Sequence, residues 1–413
     1  MKAKRVVVTG IGVLTSIGHG VTGLWEGLSA GKTGIQTITR FDPTPFRSHM
    51  AAQINDFDAL DHMDAKHARR LDRFAQFSLV ASQMAVADAR LDLTREDTTR
   101  VGIFIGSALG GIAFGETQHD AYVEGGVRAV HPGLALAVFG GASSCNIAMS
   151  LGVHGPNIGN SNSCASGPIA LGEAFHLMKR GETDVMLAGA VEVPLAPLTY
   201  GAFAIIKAMS KRNDDPAHAC RPFDRDRDGF VMGEAAAILV LEEREHALRR
   251  DAHLYGEIVG YGTTNDAYHM TAPRPDGREA ARAVTMALDE AQLAPSDIGY
   301  INAHASSTVL NDSTEVVALR KALGAAAQQI PISGTKGYHG HALGASGAVE
   351  AVISLLAMEH ETLPYTLNLE TIDPACDLAL IKDQPLQRRV DYVLSNSFGF
   401  GGINAALIYA RAT

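Results

Sequence analysis

Four cysteines, Cys145, Cys164, Cys220 and Cys376, are all that this 413-residue chain contains. No two stand as Cys-x-x-Cys, which argues against a zinc site and against a disulfide framework. The usage fits a reducing, cytoplasmic location. No apolar run approaches ~18 residues, so no membrane span is expected. The formal net charge is −10, and the basic footprint of a nucleic-acid binder is missing. Aromatic residues are only 6% of the chain. No Pro/Ser tract, charge block or low-complexity run reads as a linker. The N-terminal Met1-Lys-Ala-Lys-Arg-Val-Val-Val-Thr-Gly lacks the long apolar segment and cleavage site of a signal peptide and reads as a first strand.

What is abundant is glycine, 42 residues, in a chain that is 46% hydrophobic and 19% charged. Many glycines suit a tightly packed α/β protein with short turns. Strand-like and helix-like segments alternate. Arg5–Val8, Val101–Ile105, Asp184–Ala188 and Ala236–Leu241 read as strands, and Arg73–Ala89 and the almost wholly apolar Ala165–Lys179 as helices. The theme returns with strands at Tyr255–Tyr261, Ile298–Asn302, Tyr392–Ser395 and Ala405–Tyr409, and helices at Arg278–Ala291 and Ala348–Met358. Such alternation predicts a predominantly parallel sheet with helices on its faces. A break falls near residue 250, dividing the chain into halves 1–250 and 251–413.

Three short Gly/Ser-rich segments each carry one reactive side chain: Ser-Asn-Ser-Cys164-Ala-Ser-Gly, Asn-Ala-His304-Ala-Ser-Ser-Thr, and Lys336-Gly-Tyr-His-Gly-His341. A thiol with two distant histidines is the raw material of nucleophilic carbon–acyl chemistry. Pro168 is tolerated only in the first turn of a helix, so the thiol belongs at a helix N-terminus, where free N–H groups favour thiolate. His304 follows the apolar run Ile-Gly-Tyr-Ile-Asn-Ala and belongs at a strand's C-terminal end. Spacing alone leaves His339 and His341 as alternatives. Lys336 is placed to pair with Glu350. In Ser-Asn-Ser-Phe398-Gly-Phe400-Gly-Gly the phenylalanines line something, and the glycines let N–H groups point into a cavity as an oxyanion hole needs. The nucleophile lies in the first half and both histidines in the second, so the site belongs where the halves meet.

Two signals fail on inspection. Val-Thr-Gly10-Ile-Gly12-Val-Leu-Thr-Ser lacks the third glycine of a dinucleotide fingerprint. Asp224-Arg-Asp-Arg-Asp228-Gly has the spacing of a calcium loop but places Ala235 where the terminal Glu belongs, and reads as a salt-bridged loop.

These motifs, with Arg-Pro-Phe-Asp-Arg-Asp-Arg-Asp-Gly-Phe-Val-Met-Gly-Glu and Asn-Asp-Ala-Tyr-His-Met-Thr-Ala-Pro, make essentially the whole chain resemble the β-ketoacyl-[acyl-carrier-protein] synthases, most closely the synthase II group. The resemblance implies a thiolase-like α/β fold, two similar halves forming a five-layer α-β-α-β-α core, and a homodimer. It implies decarboxylating Claisen condensation on acyl carrier protein in fatty acid elongation, without metal or redox cofactor. By motif, Cys164 is the nucleophile and His304 and His341 the decarboxylation pair. Lys336 is the supporting lysine, and Phe400 the gate whose N–H joins that of Cys164 in an oxyanion hole. Ser306 and Thr308 match positions touching the pantetheine arm; Phe398 and, reaching into the tunnel of the neighbouring subunit, Gly133 complete the expected substrate lining. Lys66, Arg69 and Arg70, near Arg73, together with Arg128 and Lys207, form the expected docking surface for an acidic carrier protein.

The chain departs from the family pattern in three places. It has His-Ala-Ser-Ser-Thr for the usual His-Gly-Thr-Ser-Thr, and Gly-Tyr-His-Gly-His for Ser-Met-Thr-Gly-His. Residues 133–146 lack the usual aromatic bulk. These changes leave the chemistry intact and bear on the acyl chain. They predict a roomier tunnel with Tyr338 and His339 in its lining. A type II polyketide or polyene ketosynthase, a non-catalytic chain-length-determining subunit and a degradative thiolase are the alternatives; the second is expected to lack Cys164, and the third to carry a second Cys near the C-terminal Gly-rich loop, where Cys376 lies upstream of Phe398–Asn404.

Overall fold

The structure, a computed structural model, describes residues 4–412. One sheet runs through the molecule, and its two ends repeat the same design. In the first half the strand Val6–Thr15 lies antiparallel to Ala235–Glu243, which lies antiparallel to Val185–Glu192. Parallel strands Val101–Gly106 and Asn157–Asn160 complete the edge. In the second half Gly256–Asn265, Ile403–Ala410 and Tyr392–Gly399 make the antiparallel part, and Tyr300–Asn302 and Ile332–Ser333 the parallel edge. Among the described strands, those of the two halves pair only at one corner, Val6–Val8 against Gly256–Ile258.

The sheet is therefore mixed, and the expected parallel predominance is corrected. Alternation of strands and helices overlooks strands joined without a crossover helix. Tyr392–Gly399 and Ile403–Ala410 are joined by three residues, with Gly401 and Gly402 at φ +83° and +73°.

Helix Ser166–Lys179 belongs to the first half and Ser346–Glu359 to the second, and they pack on each other between the two halves of the sheet. Every residue of Ser346–Glu359 but the last is buried, as the apolar run requires. Arg73–Asp88 covers the outer face of the first half, and Arg278–Ala291 and Val309–Leu323 that of the second. This gives five layers. The central helices are entered in matching ways, by Ser163-Cys164-Ala-Ser-Gly and by Leu343-Gly344-Ala-Ser-Gly. Ser163 and Leu343 hold φ of +53° and +41°. The sharp turn that presents Cys164 thus has a counterpart, without a thiol, beside His341.

Candidate active site

Cys164 sits in a tight turn between strand Asn157–Asn160 and helix Ser166–Lys179. Ser166 closes the turn. Its Oγ donates to the Ser163 carbonyl at 2.7 Å and accepts the Asn162 N–H at 2.8 Å. The thiol is at the helix start, as Pro168 requires, and Cys164 is only 7% exposed. The Phe398–Phe400 hairpin crosses directly above it. A methyl group on Gly399 would lie 3.1 Å from the Cys164 nitrogen, so a larger residue there would crowd the turn that carries the thiol. The Phe400 N–H points at the sulfur. Burial pushes the thiol up, against the Ser163 hydroxyl, the Lys336 ammonium and the Phe400 N–H, which act in the opposite direction. The expectation of a thiolate favoured by the helix start is thereby corrected. Desolvation of the charged form outweighs the nearby donors.

His304 stands just beyond strand Tyr300–Asn302, at its C-terminal end. The buried carboxylate of Glu315 accepts the His304 and Ala305 N–H groups, each at 2.8 Å. His341 is anchored by its own N–H, which donates to the Val231 carbonyl at 2.7 Å. The two imidazoles meet edge-on, centroids 5.4 Å apart at 80°. Phe230 packs on His341 and Phe398 on His304. Burial, with the Lys336 ammonium nearby, holds both imidazoles well below their ordinary value. They are neutral. His341 Nδ1 lies 2.9 Å from Ser346 Oγ, while His304 Nδ1 is buried without a partner among the described residues.

Lys336 is fully buried and forms the pair read from the sequence, bonding Glu350 and also the backbone carbonyl of His304. It acts on the site through His304.

Cys164, His304 and His341 line one cavity of about 560 Å³, together with Ser306, Thr308, Phe398, Phe400 and Lys207. Ser306 and Thr308 hydroxyls are 2.9 Å apart, and Thr308 caps helix Val309–Leu323. The three segments separated in sequence are therefore one site. Of the expected docking cations only Lys207 reaches its rim. Lys66, Arg69, Arg70 and Arg128 are exposed elsewhere. Arg73, beside that cluster, is engaged within the chain. It pairs with Glu234 at 3.4 Å, and its guanidinium lies 4.5 Å from the Phe77 ring centre.

Two lining expectations, Tyr338 and His339, do not hold, and Gly133 is expected at the tunnel of a neighbouring subunit and not at its own. Gly133 lies on a partly exposed segment away from the cavity, its N–H bonded to His131 Nδ1 at 3.0 Å. Tyr338 and His339 are fully buried outside the lining. Tyr338 donates to the Tyr365 carbonyl at 2.9 Å, and His339 Nε2 lies 3.2 Å from Thr335 Oγ1. Their short helix, Lys336–His339, turns these side chains into the core.

Other residues of the site went unread. Phe203 stacks on Phe400 at 6.3 Å, and Leu109 and Leu343 form cavity wall. Such apolar residues carry no sequence signal. Glu192 and Glu315 did carry one. A carboxylate closing the all-apolar strand Val185–Val191 needs buried donors, and both groups are pushed up to about 7 by burial.

Fold and site together define an acyl-transferring enzyme built on a thiol and two neutral imidazoles. Residues 3–247 match the family model described as beta-ketoacyl synthase, N-terminal domain, and 255–370 match its C-terminal domain. The chain belongs to the beta-ketoacyl synthase family. It is 45% identical over 411 residues to a Synechocystis protein named 3-oxoacyl-[acyl-carrier-protein] synthase 2, covering 100% of this chain and 99% of that one. A Staphylococcus aureus protein of the same name is 42% identical, with 99% and 98% covered. Among solved structures it is similar to AntDE:AntF, a type II PKS acyl-carrier protein in complex with its ketosynthase bound to the hexaketide. There the TM-score is 0.90 and the identity 36%, with 100% of both chains covered.

Proposed function

We propose that this chain condenses an acyl group with malonyl-acyl carrier protein, losing carbon dioxide and giving the 3-oxoacyl product, in fatty acid elongation. The observation that carries the reading is the convergence of Cys164, His304 and His341 on one cavity, with the imidazoles neutral and 5.4 Å apart. Cys164 attacks the acyl thioester and becomes acylated; the carrier thiol leaves with the proton. Malonyl thioester then binds between the histidines. In the tautomer whose Nδ1 accepts from the Ser346 hydroxyl, His341 presents a protonated Nε2, and His304 offers a second donor to the same thioester oxygen. As the C–C bond to the carboxylate breaks, its electron pair becomes an enolate held by these donors. The enolate carbon attacks the acyl-Cys carbonyl. The resulting oxyanion accepts from the Cys164 and Phe400 N–H groups. Collapse expels the Cys164 sulfur and releases the product. Lys336 holds the His304 backbone in place, and no step calls on a metal or redox cofactor.

Carrier-protein docking through Lys66, Arg69, Arg70, Arg128 and Lys207 belongs to this reading, as does the pantetheine contact by Ser306 and Thr308. So does a homodimer. Tyr122, Val123, Val127, Leu136, Phe139 and Met149 are all exposed, and the edge strand Asn157–Asn160 pairs only on its Val101–Gly106 side. A second copy seated there would cover the patch and bring Gly133 to the neighbour's tunnel. The ketosynthase reading for a polyketide or polyene chain is supported by the likeness to AntDE:AntF and to the ishigamide ketosynthase/chain length factor. The higher identity to the two synthase 2 proteins favours fatty acid elongation. Mass spectrometry of products from purified protein, malonyl-acyl carrier protein and a panel of acyl-carrier proteins tests both. A 3-oxoacyl product two carbons longer than the donor is expected; absence of acyl-Cys164 would overturn the reading.

A further inference from the structure

Glu192 lies behind the cavity wall, fully buried, and touches both halves of the molecule. Each of its two oxygens accepts two hydrogen bonds. One accepts the Leu109 N–H at 3.1 Å and the Ser107 hydroxyl at 3.1 Å. The other accepts the Ala108 N–H at 2.6 Å and, from the second half, the Gly344 N–H at 3.0 Å. A single oxygen is thus shared between the Ser107–Leu109 turn and the turn that follows His341. Glu315, on helix Val309–Leu323, holds the His304 and Ala305 N–H groups and Asn396, all from its own half. Glu192 is the one that reaches across.

Both ends of this bridge are functional. Ala108, Leu109 and Leu343 line the cavity beside Cys164. Gly344 stands three residues after His341 and two before Ser346, whose hydroxyl meets His341 Nδ1 at 2.9 Å. The fit leaves no slack. A methyl group on Gly344 would lie 2.6 Å from the Ala108 nitrogen and 2.8 Å from the Glu192 carboxylate. Ala108 and Leu109 line the same cavity as Cys164, so an acyl chain on the sulfur shares that space with their wall. Movement of that wall pulls on a carboxylate that also holds the His341 turn.

Resting on the condensing-enzyme reading, we propose that Glu192 is a positioning residue that couples acylation of Cys164 to the setting of His341, so that malonyl decarboxylation is fast only once an acyl chain is in place. Small displacements suffice, because donor placement at the forming enolate is steeply rate-determining. Coupling of ordinary strength corresponds to about 5–150-fold.

The test compares first-turnover carbon dioxide release from malonyl-acyl carrier protein by enzyme pre-acylated on Cys164 and by free enzyme. The acylated wild type should be faster by a factor in that range. In Glu192→Gln an amide replaces one acceptor oxygen by a donor facing other donors, and the ratio should collapse toward one. Gly344→Ala, which disturbs the bridge from the other side, should do the same. A merely structural role would lower both rates by one factor and leave the ratio intact, which would overturn the proposal. So would a wild-type ratio of one. If Glu192→Gln fails to fold, an unchanged ratio in Gly344→Ala overturns it equally. A wild type that neither acylates Cys164 nor releases carbon dioxide would instead remove the condensing-enzyme reading, and this proposal with it.

Discussion

Lys336 bonds the carboxylate of Glu350 and the backbone carbonyl of His304 at once, and both charged side chains are fully buried. Removing the ammonium leaves Glu350 without its partner and His304 without its tether. Loss of one member of a buried pair costs about 3–5 kcal/mol. Lys336→Met should therefore lower thermal stability and cripple carbon dioxide release. The double variant Lys336→Met/Glu350→Gln should recover much of the stability and none of the activity. Denaturation midpoints and decarboxylation rates measured on the same samples separate the two effects.

Cys164 and the histidines should divide the labour. Cys164→Ala abolishes acyl-enzyme formation, seen as loss of the acyl adduct in intact mass. His304→Ala and His341→Ala keep the adduct and lose decarboxylation by about 10²–10³, the usual cost of one preorganised donor. A double histidine variant releasing carbon dioxide at the normal rate would refute the assignment.

The half-reactions should differ in pH dependence. Both imidazoles are held well below the ordinary 6.5, so they stay neutral as pH falls through that value. Decarboxylation by pre-acylated enzyme should be flat, within about twofold, from slightly alkaline to mildly acid pH, and fail only below. The Cys164 thiol is raised above the ordinary 9.0, so its reactive form is scarce at neutral pH and grows as pH rises. Acyl transfer should accordingly climb through the alkaline range. A drop in decarboxylation centred on 6.5 would contradict the neutral pair.

Charge reversal at Arg69 and Arg70 should raise KM for acyl-carrier protein and leave small thioester substrates unaffected. Added salt should weaken the wild-type interaction in the same direction, since exposed charges are screened within about 10 Å at moderate ionic strength. An equal effect on both substrate classes would remove these arginines from the docking surface.

Gly133→Phe tests the tunnel from a neighbouring copy. Because Gly133 lies outside its own chain's cavity, any change in chain-length profile must come through a partner. Selective loss of the longest donors in a dimer of normal size is expected. An unchanged profile would rule out the contribution.

The nucleophile and its partners were legible because each sits in a short Gly/Ser-rich segment whose backbone demands are local. Pro168 set the helix start that presents Cys164, and the apolar run before His304 set the strand that carries it. The 14-residue separation of Lys336 and Glu350 likewise sufficed to pair them. The alternation of elements gave the layers, but pairing direction depends on which strands are joined by hairpins, and that escaped it. Strand Asn157–Asn160 and helix Ile112–Gly125, with its faint amphipathicity, were not read at all.

By itself the sequence determined the reactive groups, their places at element ends, and the family to which they belong. Tertiary structure decided their protonation, their company and the shape of their cavity. Desolvation depends on every neighbour at once, so only packing could show Cys164 held as a thiol and His304 and His341 held neutral. Side-chain direction within a short helix decided that Tyr338 and His339 enter the core while His341 faces Cys164. Glu192 meets Gly344, 152 residues further along the chain, a contact that no local pattern encodes because it exists only once two separately formed turns meet.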